Sequence, residues 1–240
     1  MKLPHINAVL VLCLTLTALI QAKADDAKTP LLLVLVGDST MCEWPADGMQ
    51  RGWGQFVQEY FNDDVKVINL AKSGRSTKTF IKEGLLQKAL DEKPNVILIQ
   101  FGHNDSHAVT NAESTRANGD YKDNLRRYVD DARVIGAIPI LITPMVRRDF
   151  GPDGKLKDNL QLYADAMKQV AAEKKVPVID LHASSRALIE PLGEKGCEDM
   201  ANKPGDHTHF NEKGARAIAA LVMKELPAVE PTLKSHFRKQ

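Results

Sequence analysis

Leu31-Leu32-Leu33-Val34-Leu35-Val36-Gly37-Asp38-Ser39-Thr40-Met41 opens with six apolar residues in a row, ends that run on a glycine and continues at once into polar side chains. An uninterrupted run of this length is the pattern of a strand buried on both faces, as the central strands of a parallel sheet are. Gly37 suits the sharp turn that must follow. In an open parallel sheet, ligands bind outside the carboxyl ends of the strands, so Ser39 stands where chemistry is expected.

Four further apolar runs, residues 65–70, 96–101, 137–142 and 176–181, punctuate the chain. Between them lie segments of helical period. Tyr121, Leu125, Tyr128, Ala132 and Ile135 fall on one helix face, and Ala215, Ile218, Ala219 and Val222 follow Asn211, an expected N-cap, with Pro227 as the expected stop. Strand and helix alternate five times. Parallel strands need long crossovers, and helices supply them, so the expected class is α/β: a five-stranded parallel sheet with helices on both faces. No linker divides the sequence, and the mature chain is read as one domain, residues 25–240. The tail, residues 230–240, reads as a loosely held end.

Ahead of that domain, Lys2, the apolar run of residues 8–20 and Ala22-Lys23-Ala24 have the layout of a secretory signal, read as residues 1–24 and removed. The protein is therefore expected outside the cytoplasm, secreted or periplasmic, with no membrane attachment after cleavage. Losing Lys2 and Lys23 leaves 30 basic against 31 acidic side chains, a formal charge of −1. That balance gives no electrostatic case for nucleic acid or an anionic membrane. Cys42 and Cys197 remain, and an oxidising compartment admits either one disulfide or two free thiols; the sequence leaves both open. Neither belongs to a C-x-x-C pair, which argues against structural zinc.

Polar clusters recur where strands end: Ala71-Lys72-Ser73-Gly74-Arg75-Ser76, Gly102-His103-Asn104-Asp105, Thr143-Pro144 and, later, Asp206-His207-Thr208-His209. A doubly wound sheet brings all of them to one edge. A serine hydroxyl needs a base within hydrogen-bond reach, itself oriented by a third group. Asp206 and His209, three residues apart on a turn, fit that need, with the carboxylate fixing the ring tautomer. For the charge that develops on an attacked carbonyl, the expected donors are the N–H of Ser39, the N–H of Gly74 and the side-chain amide of Asn104.

Gly37-Asp38-Ser39, Gly74, Gly102-His103-Asn104-Asp105 and Asp206-His207-Thr208-His209 resemble the four blocks of the SGNH, or GDSL, hydrolase superfamily, in order across nearly the whole mature chain. With Gly52-Trp53-Gly54-Gln55, Ser73-Gly74-Arg75-Ser76 and Thr208-His209-Phe210, the sequence is similar to the rhamnogalacturonan acetylesterase branch. The resemblance implies a three-layer flavodoxin-like fold and ester hydrolysis on acetylated plant cell-wall carbohydrate. It implies Ser39 as nucleophile, Asp206 and His209 as its partners, Gly74 and Asn104 as oxyanion donors, and no cofactor or metal. Within the superfamily the competing reading is a lipid esterase or thioesterase; outside it, a non-catalytic sugar-binding domain.

Several residues carry plainer alternatives. Arg75 suits a uronate carboxylate or, equally, a surface salt bridge. Trp44 is open between sugar stacking and packing, and Trp53 is expected to pack. Asp38 is expected to hold the Ser39 turn, and His103 to brace its loop. His107 and His207 are expected in solvent; the run Arg147-Arg148-Asp149, past the fourth apolar run, sits where a substrate loop would be, but as a charge run it is read as solvated. A metal set of His103, Asp105, His207 and His209 lacks helical His-x-x-x-His spacing and leaves the serine unused, so it ranks low.

Overall fold

The computed structural model describes residues 30–239, so the signal segment expected at residues 1–24 lies outside the described residues. Each apolar run contains a strand: β1 (Leu31–Gly37), β2 (Val65–Asn69), β3 (Val96–Gln100), β4 (Ile138–Ile142) and β5 (Val178–Ile179). They form one parallel sheet in the order β2-β1-β3-β4-β5. Helices α1 (Thr77–Lys82), α2 (Leu85–Asp91), α3 (Lys122–Val134) and α4 (Gln161–Lys174) occupy the crossovers from β2 onward, and α5 (Leu181–Ile189), α6 (Gly193–Cys197) and α7 (Glu212–Val229) follow β5.

The strand period of two divides the core. Leu33, Leu35, Leu98, Ile140 and Ile142 face α5, α7 and the 3-10 segment Trp53–Tyr60. Val34, Val36, Ile97, Ile99 and Leu141 face α1 to α4. This is the three-layer flavodoxin-like arrangement. The chain leaves β1 toward β2 on one side and returns to β3 on the other, so the order reverses beside β1, where such sheets open a crevice at their carboxyl edge. Among the described residues, no helix is long and apolar enough to cross a membrane.

The differences from expectation have local causes. β5 is two residues rather than six: Pro177 has no N–H to give a ladder, and Asp180 already caps α5 by accepting from Ala183 N at 3.2 Å. α7 does begin at Asn211, whose side chain accepts from Gly214 N, but it runs through Pro227 to Val229. A proline in the last turn removes few intrahelical bonds, and Leu226 beside it is fully buried. Ile135 is 39% exposed because α3 ends there and the backbone leaves the helical spiral. The tail is held rather than loose: the 3-10 segment Pro231–His236 buries Leu233, and Phe237 packs on Phe61 with ring centroids 4.7 Å apart. Of the two states open to the cysteines, the structure has free thiols, both buried, Cys42 Sγ against Ser39 O at 3.8 Å and Cys197 Sγ against Ile189 O at 3.7 Å. Burial pushes the Cys42 thiol up to about 12.

Candidate active site

Ser39 sits on a turn directly after β1, braced from beneath. Asp38 Oδ1 accepts from Thr40 N at 2.9 Å and from Thr40 Oγ1 at 2.7 Å, the supporting role expected of it. Gln100, the last residue of β3, takes Trp53 Nε1–H at 3.1 Å and lies 3.0 Å from Thr40 Oγ1. Trp53 is fully buried, as expected, and its N–H donates to Thr40 O at 2.9 Å. The Gly52-Trp53-Gly54 stretch lies so close to the turn that a Cβ on Gly52 would stand 2.2 Å from Cys42 O; only glycine fits.

The turn 206–209, just before α7, faces the serine. His209 Nε2 is 2.9 Å from Ser39 Oγ, and His209 Nδ1 is 3.0 Å from Asp206 Oδ2. The other carboxylate oxygen, Asp206 Oδ1, accepts from the N–H groups of Thr208 at 2.9 Å and His209 at 2.8 Å. Burial alone would raise the Asp206 carboxyl, but the His209 and Thr208 bonds outweigh it and hold the group below the usual carboxylate range. Asp206 is thus the anion that keeps the proton of His209 on Nδ1 and leaves Nε2 free to accept from Ser39. Ser39 is 6% exposed as a residue, largely sheltered from bulk water.

The groups expected as donors lie on the loops that follow β1, β2 and β3. Gly74 has φ +77°, and nothing lies within 4 Å of where its Cβ would be, so the backbone there is uncovered. Among the described residues, neither the Ser39 N–H nor the Gly74 N–H donates to another group. Asn104 Nδ2 gives one hydrogen to Arg75 O at 3.0 Å, which sets the amide beside the Gly74 turn and leaves its second hydrogen available.

The surrounding side chains sort the alternatives. Trp44 is half-buried; its Nε1–H donates to Ser39 O at 3.0 Å and its ring meets His209 edge-on, 6.3 Å between centroids. Arg75 takes the salt-bridge option, with Nε 3.0 Å from Glu83 Oε2 and Nη1 2.9 Å from Ser73 O. His103 is buried behind Ser39, its Nδ1 3.5 Å from Asp38 Oδ2, and burial holds it below the ordinary imidazole value. The four side chains of the metal set do not share a centre: Asp105 accepts from Thr77 and Thr115, and His207 Nδ1 lies 2.9 Å from Arg148 O.

Arg147 and Arg148, expected in solvent, are at the site instead, as is His207, which is part-buried against Arg148. Arg147 Nη2 donates to His103 O at 3.0 Å, and its Nη1 reaches Thr208 Oγ1, joining the loop after β3 to the turn 206–209. Arg148 is buried against the same turn. The run Arg147-Arg148-Asp149 looks solvated because charge patterning reads composition, whereas the partners here are mostly backbone carbonyls, which no side-chain pattern displays. Behind the turn opens a cavity of about 720 Å³, lined by Met49, Arg148, Asn202, Asp206 and His207 among others.

The model of the GDSL-like lipase/acylhydrolase family matches residues 35–217. The rhamnogalacturonan acetylesterase RhgT of Bacillus subtilis (strain 168) is 36% identical over 225 residues, covering 88% of this chain and 95% of its own. The probable rhamnogalacturonan acetylesterase YesY of the same organism is 38% identical over 212 residues, covering 84% of this chain and 97% of its own. The crystal structure of protein YxiM from Bacillus subtilis superposes with a TM-score of 0.72 at 29% identity, covering 83% of this chain; this chain spans 57% of that one. With that match across most of its length and the sheet order to go with it, the chain belongs to the GDSL-like lipase/acylhydrolase family.

Proposed function

We propose that the protein is a serine esterase that removes acetyl groups from plant cell-wall carbohydrate of the rhamnogalacturonan type, through an acyl-enzyme on Ser39. The observation that carries the reading is the unbroken relay from Ser39 Oγ through His209 to Asp206, at 2.9 Å and 3.0 Å. His209 Nε2 takes the Ser39 proton as Oγ bonds to the acetyl carbonyl carbon. The oxyanion is met by the Ser39 N–H, the Gly74 N–H and the free hydrogen of Asn104 Nδ2. Collapse breaks the bond to the sugar oxygen, which takes the proton from His209. Water then attacks the acetyl-serine by the same route, giving acetate and the free hydroxyl.

The relatives RhgT and YesY, named for rhamnogalacturonan acetyl esters, support the substrate class. Trp44, half-buried with its edge on His209, offers the wall against which a sugar ring would lie. Residues 1–24 are read as the export signal, so the working protein starts at Asp25, which N-terminal sequencing of exported material checks.

The test is release of acetate from acetylated rhamnogalacturonan, acetylated xylan and simple acetyl and octanoyl esters, with Ser39→Ala alongside. Acetate from the pectic polymer, lost in Ser39→Ala with the fold intact, is expected. Turnover that survives the substitution removes the serine mechanism; preference for the octanoyl ester removes the carbohydrate reading.

A further inference from the structure

Arg148 is a side chain that the proposed chemistry leaves unused, and its position costs stability. It is 3% exposed, it has no carboxylate in salt-bridge reach among the described residues, and its Nη1 has no hydrogen-bond partner there. What the fold gains is a grip on one turn. Nη2 donates to both Asp206 O and His209 O, each at 2.7 Å. The Arg148 N–H donates to His207 O at 2.7 Å, and its guanidinium carbon lies 4.2 Å from the centre of the Phe210 ring. A single nitrogen therefore ties together the two carbonyls that bracket the turn.

We infer that Arg148 is a positioning residue for the base: by fixing the separation of Asp206 O and His209 O it fixes where His209 Nε2 meets Ser39 Oγ. The inference rests on the reading of Ser39 and His209 given above. A planar, always-charged group with parallel donors can bridge two carbonyls in this way, whereas an ammonium on a flexible stem holds neither direction. Asn202 N also donates to His209 O, at the longer distance of 3.3 Å, but among the described residues Arg148 alone reaches Asp206 O, and Arg147 reaches the turn only through the Thr208 hydroxyl.

The experiment uses the full chain as Arg148→Ala and Arg148→Lys, assayed on a small acetyl ester and by the rate at which a serine-directed phosphonate labels the protein. kcat and the labelling rate should both fall on the order of 10²-fold in Arg148→Ala, the cost of displacing a reacting group by about 1 Å, with KM little changed. Arg148→Lys should recover only part of the loss. The cavity behind the turn, which Arg148 lines, admits a small cation, so millimolar guanidinium should restore activity to Arg148→Ala while urea, uncharged and of the same shape, should not. Wild-type kcat in both variants, a loss carried by KM, or a loss that guanidinium does not relieve would each overturn the inference. If Arg148→Ala does not fold, Arg148→Lys decides: lowered kcat at unchanged melting temperature supports it, and wild-type kcat overturns it. Ser39→Ala run in parallel separates the two levels: hydrolysis surviving there removes the esterase reading, whereas hydrolysis abolished there beside an unimpaired Arg148→Lys removes only the role of Arg148.

Discussion

Asn104 has two hydrogens on Nδ2 and commits one to Arg75 O at 3.0 Å, so its amide is oriented before any substrate arrives. A donor preset in this way acts on the charge that develops in the transition state and little on the ground-state carbonyl. Asn104→Ala should therefore lower kcat by roughly 10²–10³-fold with KM nearly unchanged, as steady-state kinetics on an acetyl ester would show; a rise confined to KM would make Asn104 a binding residue instead. Asp206→Asn should cost more, about 10⁴-fold in kcat, because an amide cannot hold His209 in the tautomer that leaves Nε2 free. The same carboxyl has a folded value below its unfolded one, so its contribution to stability is complete above the ordinary carboxylate range and is lost as pH falls through the depressed value. Asp206→Asn should accordingly remove part of the acid-side loss of melting temperature. At this scale the sequence was informative where a residue type has one demanding chemistry. A serine after a buried strand, and an aspartate and histidine three apart near the end, are readable as such, and the structure brings them within hydrogen-bond reach. Arg148 was not readable. Its partners are the carbonyls of residues 206 and 209, and the run it belongs to has the composition of a solvated face.

α1 is only six residues long, yet its start has to be placed accurately because the Gly74 turn immediately precedes it. The Asp105 side chain does the placing, accepting from Thr77 N at 3.1 Å, from Thr77 Oγ1 at 2.6 Å and from Thr115 Oγ1 at 2.9 Å, and so ties α1 to the loop that carries Asn104. Burial pushes Asp105 up to about 7, against the pull of these donors. Because the folded value lies above the unfolded one, stability from this group is fully present below the unfolded carboxylate value and is lost as pH rises through about 7. Thr115→Val keeps the side-chain volume and removes one donor, and should cost about 1–3 kcal/mol. The loss should be larger at pH 8 than at pH 4, since the donor matters most to the ionised carboxylate; denaturant titrations at the two pH values check the difference, and equal losses would mean that Asp105 stays neutral. Elements of this kind are partly legible in sequence. Apolar runs mark β1 to β4 well, and even Pro139 within β4 is accommodated. Ile138 N donates to Asn95 O on the β3 side and Leu141 N to Pro177 O on the β5 side, so the missing N–H of Pro139 falls on the β5 side, short of where β5 begins to pair at Leu141. The length of β5 was not legible, because an apolar run cannot show that its last residues are claimed by a helix cap.

Across the whole molecule, the sheet's carboxyl edge gathers the site from segments far apart in sequence, and the opposite end of the molecule has to hold the layers together. There the tail contributes. Asn62 N donates to His236 O at 2.8 Å, Arg238 N to Tyr60 O at 2.9 Å, and Leu233 inserts with 0% exposure into the layer formed by α7 and the segment Trp53–Tyr60. That segment is the same one whose first residues brace the Ser39 turn, through Trp53 N to Thr40 O at 2.9 Å. A polar tail with scattered apolar residues does not advertise this docking: Leu233 and Phe237 are too few to set a period, and their partners lie some 175 positions earlier, as the Asn62 side chain bonding to Phe237 O illustrates. Leu233→Ala should remove about 2–5 kcal/mol of stability, the range for a buried leucine whose cavity does not collapse. Since the tail meets the segment at Tyr60 and Phe61, remote from Trp53, kcat for an acetyl ester well below the melting temperature should stay at the wild-type value while the melting temperature falls. A fall in kcat at low temperature in proportion to the lost stability would instead mean that the tail and the Ser39 turn are held by one cooperative unit through the Trp53–Tyr60 segment.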